Sequence, residues 1–307
     1  MKKYILTILA IITFSPLCYA GDSYYAYASK SNSSNKEVQQ FVKEIKSALK
    51  QQLEYTNENN IEGMKTFYAP NYVNSDGITK ENYFELVKKT WKLYPDIKYT
   101  MNITNIDIIG NTAVVETKEN ADATSVEKVG DANITGYLKS NSSSVYYLEK
   151  IGDNWVITSD HIINECTKLT YGEANTLEME LVVPQLVQAN KDYTASLKVK
   201  VPDKKMIVIA SIGQEPITYP QVNAEEVFRK LPQNGILERI FTANKDNFNE
   251  YTVASVGITR AKVGKNKDIK LQVTGLGYVI TRSNVVPVKD FSKVKQNGKE
   301  KTSISVK

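Results

Sequence analysis

The chain has 307 residues, 41% of them hydrophobic and 24% charged, so it is long enough for about two globular domains and is not a disordered polymer. Its formal net charge is +5, which falls to +3 without Lys2 and Lys3, because 37 basic side chains then face 34 acidic ones. A charge this small, with no basic run interleaved with aromatic residues, excludes nucleic-acid binding as the main expectation.

The N-terminal residues 1–20 have the layout of a secretory signal peptide. Lys2-Lys3 form the basic region, Tyr4–Phe14 the apolar region, and Cys18-Tyr19-Ala20 a small-residue cleavage motif before Gly21. A membrane anchor is the alternative, but about eleven apolar residues are too few to span a bilayer. We therefore expect an exported protein, periplasmic or secreted, without a membrane span.

The two cysteines, Cys18 and Cys166, do not form a disulfide framework if the signal peptide is removed. Lipid attachment at Cys18 is disfavoured by the bulky Leu17, and Cys166 is predicted to be a small buried hydrophobic residue. The short Lys-Lys start and the composition rich in Lys, Asn and Ile indicate a bacterial protein.

A polar segment, Gly21–Asn35, is predicted to be a flexible leader that precedes three helices. In Lys36–Leu53 apolar side chains recur every three or four residues, which predicts a long amphipathic helix. A short second helix is predicted around Ile61–Tyr68. Thr79 can cap a third helix, which Pro95 ends.

Beyond the helices the apolar period changes from 3.6 to two, which indicates antiparallel strands. Ile97–Ile109 and Thr112–Thr117 are predicted to pair across the two-residue turn Gly110-Asn111. The polar segment Lys118–Ser143 is predicted to be a loop extension of the neighbouring strands.

A second hairpin is predicted from Val145–Ile151 and Trp155–Ile163, joined by the turn Gly152-Asp153-Asn154. Side chains alternate with period two along the second strand, so Trp155, Ile157, Ser159 and His161 are predicted to share one face. That face holds the only histidine of the chain, and we expect it to line a binding cavity.

Two motifs resemble the nuclear transport factor 2-like superfamily over residues 36–172. Asn60–Met64 followed by Phe67-Tyr68-Ala69-Pro70 resembles the segment that precedes that family's third helix, and Lys150–Ile157 (KIGDNWVI) resembles its closing hairpin. The resemblance implies an α+β cone, in which helices pack on a curved antiparallel sheet around an apolar pocket. The family includes isomerases, cyclases, dehydratases and non-catalytic binding modules, so the fold leaves the function open.

The resemblance to ketosteroid isomerases within that family implies three functional positions. The general-base carboxylate falls on Asp76, the oxyanion-stabilising Tyr on Gln52, and the protonated Asp near Ser144. Only the first position keeps its residue type. Ser75-Asp76-Gly77 is also typical of a solvent-exposed turn, and the missing oxyanion donors favour that interpretation of Asp76.

His161 has two interpretations as well. It is either an acid/base partner of Asp76 or a polar residue that bonds to backbone or water near the end of the sheet. Asp76 and His161 are therefore the two catalytic candidates. The predicted ligand-pocket residues, which can equally be plain core, are Tyr68, Tyr83, Trp91, Trp155 and His161. With a single histidine a His-based metal site is excluded, and we expect no metal and no cofactor.

The C-terminal part, residues 173–288, is predicted to be a separate β-sandwich after a hinge at Glu173–Asn175. About seven apolar runs, separated by Gly, Pro and Asn turn signals, indicate an immunoglobulin-like architecture without that family's disulfide. Lys289–Lys307 is a basic tail, either solvated or in contact with an anionic envelope surface.

These features predict an α+β cone followed by an all-β sandwich, and two functions remain open. The preferred one is an exported, non-enzymatic binding or interaction protein of the bacterial cell envelope. Its cone binds an unknown small ligand or an envelope protein, and its sheet is a candidate homodimer surface. The alternative is a small-molecule isomerase or dehydratase that uses Asp76 as general base.

Overall fold

The computed structural model describes residues 32–129, 133–203, 206–222, 226–263 and 269–287. The helices are α1 (Asn32–Asn57), α2 (Ile61–Lys65) and α3 (Lys80–Leu93), with a 3-10 helix at Glu173–Thr176. The strands are β1 (Lys98–Ile109), β2 (Thr112–Val129), β3 (Ile134–Ile151), β4 (Asn154–Gly172), β5 (Glu178–Val182), β6 (Leu186–Gln188), β7 (Asp192–Lys200), β8 (Ile207–Pro216), β9 (Arg229–Lys230), β10 (Ile236–Thr242), β11 (Glu250–Val263) and β12 (Ile269–Val286). The predicted signal peptide, the leader up to residue 31 and the basic tail 289–307 lie outside the described residues.

The three helices follow the capping signals of the sequence. The Asn60 side chain accepts a hydrogen bond from Gly63 N (2.9 Å) at the start of α2, and Thr79 caps α3 by accepting one from Asn82 N (3.5 Å). α1 begins at Asn32, about one turn before the predicted start at Lys36. The apolar faces of the helices pack on β1–β4 around a core that includes Ile45, Leu49, Met64, Val87, Val115 and Leu148.

The strands form one sheet of nine strands and one of three. The order in the larger sheet is β1-β2-β3-β4-β12-β11-β8-β9, with β6 parallel to β12, and the order in the smaller sheet is β10-β7-β5. The second half of β4 pairs with β12, Cys166 to Gly172 opposite Thr281 to Gly275. The sheet beneath the helices therefore continues directly into the C-terminal strands.

The sequence predicted a loop extension of the neighbouring strands at Lys118–Ser143, but the described residues of this segment lie almost entirely in strands β2 and β3. β2 and β3 pair from Thr112 opposite Glu149 to Val129 opposite Ile134, and residues 130–132 lie outside the described ranges. The prediction was wrong because the buried face of this hairpin is itself polar: Glu119, Ser140 and Ser142 point inward. Alternation between two polar faces gives no hydrophobic signal.

The C-terminal strands use both of their faces. One face of β8, β11 and β12 packs on the three-stranded sheet around Leu197, Ala210, Val256, Ile258 and Val279. The other face, with Tyr251, Val253, Tyr278 and Ile280, shares a core with Tyr94 and Leu169 beneath the helices. The C-terminal strands therefore form two packed layers. An immunoglobulin-like topology of these layers stays a prediction.

The segment that joins the two parts of the chain is packed. Ala174 is buried within the 3-10 helix, and the Glu173 carboxylate accepts hydrogen bonds from Arg260 Nε (2.7 Å) and Thr274 Oγ1 (2.8 Å). Gly275 is one of the glycines that were predicted to form turns between the C-terminal apolar runs. In the structure it lies inside the continuous strand β12 instead. Whether residues 36–172 and 173–288 fold as independent domains remains a prediction.

Replacing Gly172 by Ala should lower the free energy of unfolding more than replacing Gly152 by Ala, measured by urea denaturation. Both glycines have positive φ, 56° and 61°, which disfavours any side chain, so each substitution carries a backbone penalty of at least about 1 kcal/mol. A Cβ at Gly172 would also lie 2.3 Å from Thr274 O, whereas at Gly152 it meets nothing within 4 Å. Equal losses for the two variants would contradict this close approach between β4 and β12.

Candidate functional site

Strand β4 does not keep a single alternation along its length. Tyr147 pairs with Ser159 but Leu148 pairs with Ile157, so Thr158 is the extra residue of a β-bulge. Beyond the bulge the inward residue is Asp160, which is 8% exposed. The predicted shared face of Trp155, Ile157, Ser159 and His161 is therefore wrong beyond Ile157, because the inserted residue reverses the side chains that follow it, up to a second register shift at Ile163.

His161 is half-buried and bonds to a hydroxyl. Its Nδ1 lies 3.0 Å from Ser75 Oγ. Burial and the Arg282 charge lower the pKa of His161, and the Asp76 charge opposes this by raising it. The structure thus gives His161 the hydroxyl group of Ser75 on the neighbouring loop as a hydrogen-bond partner, which neither interpretation of the sequence named.

Asp76 is buried, contrary to the exposed turn carboxylate that the sequence favoured. Its Oδ1 and Oδ2 accept hydrogen bonds from Arg282 Nη2 (2.6 Å) and Nη1 (2.9 Å), and Oδ1 also accepts one from Asn249 Nδ2 (2.7 Å). The side chains of Asp76 and Arg282 are 3% and 0% exposed. The turn itself exists, because Asn74 Oδ1 accepts from the backbone N of Asp76 (3.0 Å) and of Ile78 (2.9 Å).

The partners of Arg282 tie the loop to the C-terminal strands. Arg282 Nε donates to Asn284 Oδ1 (2.8 Å), and Asn284 Nδ2 donates to Ile163 O (2.7 Å) on β4. Burial alone would lower the pKa of Arg282, but the Asp76 charge and hydrogen bonds raise it. The Asp76–Arg282 ion pair therefore joins the loop after α2 to β12, about two hundred residues away.

Glu119 lies in the interior among hydroxyl groups. Thr117 Oγ1 (2.7 Å), Ser144 Oγ (3.0 Å) and Ser142 Oγ (3.2 Å) are its hydrogen-bond partners. Burial raises the pKa of Glu119 to about 7, although the bonds to the hydroxyl groups lower it in part. Ser144, near the position where the resemblance places a protonated acid, thus contacts a carboxyl group that β2 supplies.

Two further interior carboxyl groups lie on β4. Glu165 accepts from Tyr251 Oη (2.8 Å) and from Thr167 Oγ1 (3.3 Å), and Asp160 accepts a short hydrogen bond from Tyr72 Oη. Burial raises the pKa of Glu165 to about 7 and that of Asp160 to about 6. The interior beneath the helices is therefore polar and contains several carboxyl groups.

The predicted pocket aromatics fill the interior. Tyr68 and Tyr83 are buried, their ring centroids are 5.1 Å apart, and their hydroxyl oxygens are 2.8 Å apart. Gln52 Nε2 lies 3.4 Å from the Tyr68 hydroxyl, at the position where the resemblance places an oxyanion donor. Trp91 packs against both cores beneath the helices. Trp155 borders an open groove on the α1 side of the β3–β4 turn.

The residues that sequence reasoning missed are Arg282, Asn249, Glu119 and Glu165. The sequence did contain a sign of the burial of Arg282. Arg282 is the single charged residue of the segment Tyr278–Val286, which has apolar residues at both ends, and a charge that is buried needs a partner. Glu119 lay in a segment predicted as a loop, so its burial had no sequence signature.

Across the described ranges, no group of three or more His, Cys, Asp or Glu side chains is placed to hold a metal ion. No helix in those ranges is both long and apolar enough to cross a membrane.

No protein-family model and no curated protein matches this sequence. The chain is similar in structure to a protein from Novosphingobium aromaticivorans named as a scytalone dehydratase, with 13% identity, a TM-score of 0.35, and coverage of 42% of this chain and 86% of that one. It is also similar to a LinA-type3 hexachlorocyclohexane dehydrochlorinase from Novosphingobium barchaimii, with 12% identity, a TM-score of 0.34, and coverage of 42% and 90%. A conserved protein from Planctomyces limnophilus gives 11% identity, a TM-score of 0.34, and coverage of 41% and 93%.

The likeness to these solved structures has TM-scores of 0.34–0.35, and the resemblance to the nuclear transport factor 2-like superfamily over residues 36–172 stays a prediction. The structural likeness covers about two-fifths of the chain. At 11–13% identity it carries no information on this protein's reaction or ligand.

Proposed function

We propose that this chain is an exported, non-enzymatic binding or interaction protein of the bacterial cell envelope. The observation that carries the proposal is the Asp76–Arg282 ion pair. A general base must be able to reach the proton of its substrate, and the Asp76 side chain is only 3% exposed. Three of the roughly four acceptor sites of its carboxylate are already used, because Arg282 donates one bond to each oxygen and Asn249 donates a further bond to Oδ1.

The packing of the interior supports the same proposal. Tyr68, Tyr72 and Tyr83 are buried and pack on one another with ring centroids 5.0 to 5.5 Å apart, so their rings fill the space between them. Binding by this protein then uses its outer surfaces, with the β1–β4 sheet as a candidate homodimer face. The C-terminal layers, which we take to be immunoglobulin-like, serve as a docking or spacing module.

The second candidate, an isomerase or dehydratase, is favoured by a different observation. Glu119 and Glu165 have pKa values raised to about 7, which suits general acid/base catalysis near neutral pH. In that case one of these two carboxyl groups, not Asp76, would transfer the proton. Their surroundings weigh against it, because hydroxyl groups of the protein itself surround both of them.

Two measurements on the same expressed protein test where it is located and whether it catalyses a reaction. Expressed in a bacterium from its own Met1, the protein should be recovered outside the cytoplasm with Gly21 as its N-terminus by mass spectrometry. Incubated in D2O with a panel of cyclic unsaturated ketones, this mature protein should incorporate no more deuterium into them than a Glu119→Gln/Glu165→Gln variant. Deuterium incorporation that depends on Glu119 or Glu165 in a folded protein would establish the enzyme instead, and an intact Met1 would refute export.

A further inference from the structure

An open groove of about 430 Å³ runs between α1 and the turn that joins β3 to β4. Its volume lies within the range of small-ligand sites. One face of α1 forms one wall, and the segment after α2 and the β3–β4 turn form the other. The lining residues are Glu44, Ser47, Ala48, Gln51, Tyr55, Thr66, Phe67, Asp153, Asn154 and Trp155.

Aromatic pairs hold the walls of the groove. Tyr55 and Phe67 pack with their ring centroids 6.1 Å apart, and Phe41 packs edge-on against Trp155 at 5.5 Å. Gly63 allows the Tyr55 ring to lie directly on the backbone of α2, since a Cβ there would be 2.8 Å from the ring. The aromatic surface is therefore fixed before any ligand arrives, which lowers the entropic cost of binding.

Lys150, which is not a lining residue, already pairs with the lining carboxylate of Glu44. Lys150 Nζ lies 2.5 Å from Glu44 Oε2 and 4.4 Å from the centroid of the Phe41 ring. Trp155 Nε1 donates to the same Glu44 oxygen (3.1 Å). Both partners of this Glu44 oxygen therefore belong to the protein itself. The hydrogen bond from Lys150 lowers the pKa of Glu44, and burial opposes this by raising it.

The chemistry of the remaining lining selects the ligand class. No lining residue in the described ranges is basic, so an anion has no counter-charge, and Lys150 already neutralises Glu44, one of the two acidic lining residues. Gln51, Asp153 and Asn154 offer amide and carboxylate groups, which an apolar ligand would leave without partners. A neutral ligand with many hydroxyl groups and one apolar face satisfies both the polar side chains and the aromatic rings.

We propose that this groove binds a saccharide, with the C–H face of a sugar ring on Phe67 and Tyr55 and its hydroxyl groups on Gln51, Asp153 and Asn154. The inference rests on the proposed binding function and names its ligand class. The sugar is either a free oligosaccharide or part of a cell-wall glycan, since both present the same ring chemistry.

Titration of the 15N-labelled protein with cellotriose and with chitotriose tests the proposal by NMR. The chain has two tryptophans, so the indole N–H signal of Trp155 should shift saturably while that of Trp91 stays in place. Asp153→Ala should weaken binding about tenfold, because it removes a charged hydrogen-bond acceptor. Lys50→Ala, at a 78% exposed side chain of α1 outside the groove, should leave the affinity unchanged.

Co-sedimentation with purified cell-wall glycan distinguishes the two sources. If the protein pellets with the glycan and Asp153→Ala abolishes the pelleting, the ligand is the cell-wall polymer. If the protein binds in the NMR titration but does not pellet, the ligand is a free sugar. The saccharide proposal is overturned if no saccharide shifts the indole N–H signal of Trp155, or if the cationic probe trilysine shifts it instead. The proposed binding function stands in either case. Refutation of the binding function itself would come from the separate deuterium measurement.

Discussion

Asp76→Asn should lower the free energy of unfolding by about 3–5 kcal/mol, because it leaves the Arg282 guanidinium buried without a counter-charge. The substitution keeps the size and shape of the side chain, so the loss reports the charge pair and not a cavity. Arg282 is fully buried and Asp76 nearly so, which removes the solvent screening that makes most ion pairs weak. Urea denaturation followed by circular dichroism measures the loss.

Two controls isolate the Asp76–Arg282 ion pair. Asp122→Asn removes an exposed pair with Lys139 (3.9 Å) on the same sheet, and it should cost less than about 1 kcal/mol. The double variant Asp76→Asn/Arg282→Met should recover most of the stability, since no unpaired charge remains. A loss for Asp76→Asn no larger than that for Asp122→Asn would mean that Asp76 is not held by Arg282, and would restore it as a catalytic candidate.

The free energy of unfolding should fall by several kcal/mol as the pH rises from about 4.5 to about 8, because three buried carboxyl groups are protonated in the folded state. Burial raises the pKa of Glu119 and of Glu165 from 4.5 to about 7, and that of Asp160 from 3.8 to about 6. In this window the folded chain binds more protons than the unfolded chain. The stabilisation is therefore complete only below pH 3.8, and it is lost as the pH rises through about 6 for Asp160 and about 7 for the two glutamates.

The expected size is about 3 kcal/mol for each glutamate, from the difference between the folded and unfolded pKa values. Glu44 acts in the opposite direction, but its lowered pKa places that effect below pH 4.5, outside the window. His161 also opposes the trend, because its lowered pKa makes the unfolded state bind more protons below pH 6.5. Its contribution is smaller, since the ring is only half-buried.

Substitutions on β2 separate the buried glutamate from general charge effects. Glu119→Gln should flatten the dependence of stability on pH between 5 and 8, since it removes one titrating group and keeps the hydrogen-bonding oxygen. Glu116→Gln, at an exposed position of the same strand, should leave the slope unchanged. Stability that does not vary between pH 5 and pH 8 in the wild-type protein would contradict the raised pKa values.

Local sequence signals determined much of the helical region and several turns. Asn60 and Thr79 cap their helices through side-chain oxygens, and Gly110 and Gly152 adopt the positive φ of the predicted hairpin turns. Each of these features depends on neighbours within a few residues, so it is legible in one stretch of chain. Cys166 likewise packs against the core of the C-terminal layers, as its residue type indicated.

The tertiary structure alone decided which side chains face the interior of this protein and which are paired there. A single inserted residue at Thr158 turned Asp160 inward and His161 away, and no composition signal marks such a bulge. Asp76 became buried because Arg282, distant in sequence, arrives on the strand that extends the sheet beyond β4. Turns and caps follow from nearby residues, whereas burial and charge pairing depend on contacts that form only when distant strands meet.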